Sequence, residues 1–89
     1  MERSLLDILR REDILVMKCN RIESEIRILH EQRDRVEKYP LDCEAKRKDL
    51  QENDEMVAER HSMLSSLHID LAAARKEIRA YFKQFEVSE

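Results

Sequence analysis

A row of apolar residues seven apart runs through this chain without a slip: Ile8, Leu15, Ile22, Leu29, Val36, Cys43, Leu50, Val57, Leu64, Leu71, Ile78 and Phe85. Seven residues make two turns of an α-helix, so such a row forms a stripe along one side of a helix and marks a helix-packing seam. Companion residues fill in the three-four alternation of a coiled coil. Before residue 38 they are Leu5, Cys19 and Ile26, and after residue 57 they are Leu67, Ala74 and Tyr81. Three polar residues, Glu12, Arg33 and Arg60, stand in seam slots. Polar residues at such positions weaken a seam but fix register and partner choice.

The rest of the composition agrees with this reading. The 89 residues contain no glycine and one proline, and 42% of them are charged while 4% are aromatic. Glycine supplies the positive-φ backbone of tight hairpin turns and phosphate-cradling loops, so β-hairpin, P-loop and dinucleotide-binding folds are all poorly served. So much charge raises the question of disorder, but the apolar residues are plentiful and regularly spaced, which gives them a surface to bury. The expected fold is all-α, with a single helical unit over residues 1–89.

Pro40 divides that unit. Proline removes a helix hydrogen bond, clashes with the preceding turn and pushes the residue before it, Tyr39, out of the helical region. Arg33, Arg35 and Lys38 precede the break and Asp42 and Glu44 follow it, the charge order of one helix ending and another beginning. Ser4 with Asp7 resembles a capping box, so helix 1 is expected at about 5–38. Asp42 is the expected N-cap of a helix 2 running to about residue 85, and Val87-Ser88-Glu89 reads as a frayed tail.

Two architectures satisfy these rules. The unbroken row of sevens suits one long kinked helix in a parallel coiled coil. Against it, the companion residues lie on opposite sides of the row in the two halves, and the strongly apolar stretches 5–29 and 57–85 flank a polar middle. Folding back at Pro40 matches apolar to apolar and leaves the charged middle at the bend. The antiparallel coiled-coil hairpin is therefore the preferred fold. Its seam is expected to join Ile8, Leu15, Ile22 and Leu29 to Leu71, Leu64, Val57 and Leu50 in that order, with Ile78 beyond them.

Little in the sequence carries chemistry. His61 and His68 are seven apart, or about 10 Å along a helix, too far to share one metal ion, and His30 has no partner nearby in sequence. Cys19 and Cys43 lack the CxxC spacing of a metal or redox site, and both fall in the apolar seam, Cys43 in the row of sevens and Cys19 among its companions, where they read as small core residues in a reducing compartment. Carboxylate pairs such as Glu12/Asp13, Glu23/Glu25 and Asp54/Glu55 sit on helices that offer no pocket to shift their pKa values. No catalytic residue, cofactor site, metal site or small-molecule substrate is expected, and the chain does not read as an enzyme.

Binding is the remaining function. Net charge is −3, from 17 basic and 20 acidic residues, which disfavours a nucleic-acid partner; the lone basic run, Lys46-Arg47-Lys48, is flanked by acids and reads as a solvated face. The N-terminal apolar cluster is short and interrupted by Asp7, unlike a signal peptide or a membrane span. An intracellular setting, cytoplasmic or nuclear, follows as the expectation. Leu6, Leu9, Val16, Met17, Tyr81, Phe82 and Phe85 widen the stripe beyond one seam and are the expected partner-facing residues. They point to a structural or adaptor subunit that binds protein helices, either another subunit or itself. A coiled-coil regulator touching nucleic acid or chromatin through Lys46-Arg47-Lys48 is the alternative.

Overall fold

The computed structural model describes residues 4–40 and 42–86; the tail at 87–89 lies outside the described residues. Two helices, α1 (Leu5–Lys38) and α2 (Glu44–Glu86), fold back on each other as an antiparallel hairpin. The molecule is a rod, 70 × 18 × 16 Å. The continuous kinked helix is thereby excluded.

Both ends of α1 follow from local chemistry. Ser4 is its N-cap, in an extended conformation, and its hydroxyl accepts a hydrogen bond from the Asp7 amide at 3.2 Å. That satisfies one of the amides a helix start leaves unpaired. Tyr39 ends the helix with φ −66° and ψ 129°, the extended geometry forced on a residue that precedes proline.

The start of α2 differs from expectation. The first intrahelical bond runs from the Arg47 amide to the Cys43 carbonyl, so the cap position falls on Cys43, and Asp42 lies one residue outside. Asp42 instead faces the Arg47 guanidinium at 3.7 Å. Cys43 is consequently exposed, while Cys19 is buried. The row of sevens is continuous in sequence through Cys43, but the chain at that point has left one helix and only begun the next. No opposing helix covers it there.

The bend closes without glycine because a side chain takes the place of a C-capping backbone. Lys46, in the first turn of α2, reaches back and donates to the carbonyls of Glu37 (3.1 Å) and Tyr39 (2.8 Å). These belong to the carbonyl groups that a helix end leaves without partners, and a cation there also meets the negative end of the helix dipole.

The register differs from expectation by about one heptad. The inter-helix ties are Arg11 to Glu77 (3.3 Å), Glu12 to Arg75 (3.3 Å), Glu25 to Arg60 (2.8 Å) and Arg33 to Asp54 (2.8 Å). They set Leu15 level with Leu71, where Leu64 was expected. In the expected register Arg33 would have met Lys46 and Arg47, and Arg60 would have met Lys18 and Arg21. Like charges opposed across a seam are destabilising, and a shift of seven residues turns each of these clashes into an attraction. The three charged residues in seam slots, Glu12, Arg33 and Arg60, all obtain opposite charges on the other helix.

The apolar centre lies in the half far from the bend. Leu15, Cys19, Leu71 and Ala74 form one buried cluster, with Val16, Leu64 and Leu67 packed on its edge. Ala74 is fully buried beside Leu15 and Leu71 in this cluster, and so small a side chain lets the helices approach closely there.

Candidate helix-docking surface

Helix 1 buries Ile8, Leu15, Cys19, Ile22, Ile26 and Leu29. On helix 2 only Leu71 and Ala74 reach full burial, and Leu50, Val57, Leu64, Leu67 and Ile78 stay half-buried. A two-helix rod has only one opposing element, so its seam is open along both flanks. The folded chain exposes 7397 Å². A compact protein of 10.7 kDa would expose about 5,500 Å², so the rod carries about a third more surface.

Apolar side chains contribute to that surface at the end far from the bend. Leu6, Met17, Phe82 and Phe85 are exposed, Met17 at 69% and Phe85 at 60%. Leu9, Val16 and Tyr81 are half-buried. Val16 leans on the hairpin's own core cluster, so it offers less free area than its flanking position suggested. The three aromatics form one group on the last turns of α2. Tyr81 meets Phe82 edge-on at 6.0 Å between ring centres and Phe85 at 5.3 Å in a tilted arrangement, geometries the ring quadrupoles favour. Helix 2 has 43 residues and helix 1 has 34, so with this register the last turn of α2 runs past the start of α1.

The basic run is arranged otherwise than a solvated face. Lys46 is turned into the bend and Arg47 is near Asp42, so among the described residues only Lys48 of the three has no such tie. Asn53 was not recognised from sequence. It occupies a half-buried seam slot between Leu50 and Val57, and its side-chain amide donates to the Leu29 carbonyl at 2.9 Å. Its own Oδ1 is buried without a partner among the described residues, which costs stability. The signal available in sequence was its spacing, three residues after Leu50 and four before Val57.

Among the described residues there is no group of three or more His, Cys, Asp or Glu placed to hold a metal ion, and no helix is long and apolar enough to cross a membrane. The Arg33 guanidinium is hydrogen-bonded first to Asp54 and then to Glu37, which raises its pKa above the ordinary value. No family model, no curated protein and no solved structure matches the chain.

Proposed function

We propose that this protein is a non-enzymatic structural or adaptor subunit of an intracellular multi-protein assembly, cytoplasmic or nuclear, and that it acts by packing its helices against other protein helices. The observation that carries this reading is the exposed Leu6, Phe82 and Phe85 at one end of a rod whose own seam is only half covered, with exposed Met17 about three turns further along α1. Exposed aromatics clustered on a rigid helix end are the kind of anchor that dominates interface energetics. Leu9, Val16 and Tyr81 are half-buried, and Tyr81 packs against both Phe82 and Phe85. The alternative, contact with nucleic acid through Lys46-Arg47-Lys48, has less support, because Lys46 and Arg47 are engaged at the bend and, among the described residues, Lys48 alone of that run has no such tie with which to neutralise phosphates.

The test is recovery of the chain from cells under mild conditions beside its Phe82→Asp and Leu6→Asp variants. The expected result is a defined protein partner that both variants lose, while helicity by circular dichroism stays at the wild-type level. Retention of every partner by both variants would remove this surface from the function. Binding to nucleic acid that weakens steeply with salt would favour the alternative.

A further inference from the structure

The opposite flank of the seam has a different character. Two shallow grooves run along it, one lined in part by Val36, Leu50 and Met56 and the other by Ile22, Met63 and Leu67. Met56 and Met63 each stand 43% exposed at their edges, and methionine adapts readily to an irregular apolar surface. Helix 1 borders these grooves with Lys18 and Arg35, and helix 2 with Glu52; Asp70, seven residues after Met63, continues the acidic border. Among the described residues, none of these four charges has an ion-pair partner. All four side chains are exposed.

Their heights along the rod match. Lys18 lies between the Glu12–Arg75 and Glu25–Arg60 ties, which puts it within about one turn of Asp70. Arg35 lies just beyond the Arg33–Asp54 tie and level with Glu52. A two-fold axis parallel to the rod preserves height while setting helix 1 of one copy against helix 2 of another. It would bring Lys18 to Asp70 and Arg35 to Glu52 of the second copy, each contact occurring twice. A two-fold axis across the rod would instead lay helix 2 on helix 2 and oppose Asp70 to Glu59.

We infer that this grooved flank is a self-association face, on which a second copy of the chain packs with both bends at the same end, forming an antiparallel four-helix bundle. Met56 and Met63 fill the grooves, and the two basic-to-acidic contacts fix the register. A face 70 Å long and about 16 Å wide offers a footprint of about 1,100 Å² per copy, against the roughly 800 Å² per partner of a stable interface. This face lies across the seam from the Leu6 and Phe82 surface. It adds a partner of stated identity to the reading above and does not depend on it.

The experiment reverses the charges in two sets. Lys18→Glu with Arg35→Glu puts an acid at all four contact positions; Glu52→Lys with Asp70→Lys puts a base at all four. In sedimentation the wild-type chain is expected to be a dimer, and each double variant alone to associate about tenfold more weakly or not at all. An equimolar mixture of the two is expected to recover the dimer, since each acid then meets a base. Circular dichroism on each variant checks that the helices are retained. Orientation is read from a spin label on the exposed Cys43, near the bend. Bends at the same end give a separation of the order of the rod's 16–18 Å width plus the label arms, and bends at opposite ends give one approaching its 70 Å length. A monomeric wild type, double variants that associate like wild type, a mixture that stays dissociated, or a long label distance would each overturn the inference. None of these outcomes alters partner capture by Leu6 and Phe82, which is measured separately.

Discussion

The two halves of the rod are held by different forces. Far from the bend, Leu15, Cys19, Leu71 and Ala74 close into an apolar cluster. Near the bend, Val36 and Leu50 are only half-buried, and the helices are tied by polar groups: Lys46 to two carbonyls, Asn53 to the Leu29 carbonyl, Arg33 to Asp54. Apolar burial supplies most of the stability of a small fold but is indifferent to a slip by one heptad. Hydrogen bonds and ion pairs at exposed sites contribute less but depend on which residue stands opposite which. The far cluster therefore supplies most of the energy, and the polar ties supply the register, near the bend through Arg33 and Asn53 and farther out through Glu12–Arg75 and Glu25–Arg60.

Three substitutions test that division. The largest effect is expected from Leu71→Asp, which places an unpaired carboxylate in the far cluster and should cost about 4 kcal/mol, enough to melt the helices. Circular dichroism reads this directly, and a variant that stays fully helical would place the energetic centre elsewhere. Lys46→Ala should cost about 1 kcal/mol and act locally, because the freed carbonyls can turn to water. Hydrogen exchange should speed up around residues 36–47 and remain unchanged near Leu15 and Leu71; a global change would show that the bend also carries stability. Asn53→Leu should leave stability within about 1 kcal/mol of wild type, since it removes one hydrogen bond together with an unpaired buried acceptor. Its effect should appear in register. Labels at the exposed Asp7 and Lys76 positions should report a second population displaced by about 10 Å, one heptad of helix rise. A single unshifted distance would assign register to the ion pairs alone.

Much of this arrangement was legible in the sequence. Ser4 as a cap, the end of α1 before Pro40, the extended Tyr39 and the antiparallel hairpin itself follow from rules that act within a few residues or from the distribution of apolar stretches. The register was not obtained from the apolar row, because a repeat of seven matches itself equally well after a shift of seven. Leu15 opposite Leu64 and Leu15 opposite Leu71 are equivalent to hydrophobic reasoning. The information that separates them lay in Glu12, Arg33 and Arg60, which meet repulsive or neutral neighbours in one alignment and oppositely charged residues in the other. Cys43 was misplaced in the core for a related reason: a periodic pattern does not register that the chain has turned. Lys46 was read by its composition as part of a solvated run, whereas its role depends on a carbonyl seven residues earlier that only the folded bend brings near. The expected partner-facing residues are flanks of the stripe, and exposure in the fold separates Leu6, Met17, Phe82 and Phe85 from the more covered Val16.

The position of the polar ties has a consequence for how the chain finds its fold. The entropy lost on closing a loop grows with the logarithm of its length. Lys46 reaches Tyr39 across seven residues and Asn53 reaches Leu29 across 24, whereas Arg60 and Glu25 are separated by 35 and Arg11 and Glu77 by 66. Of the contacts that discriminate between alignments, Arg33–Asp54 and Asn53–Leu29 thus close most cheaply, and Glu12–Arg75 closes late. A chain that zips outward from Pro40 meets its register check first, before the far leucines, which would accept the wrong alignment as readily as the right one, come within reach of each other.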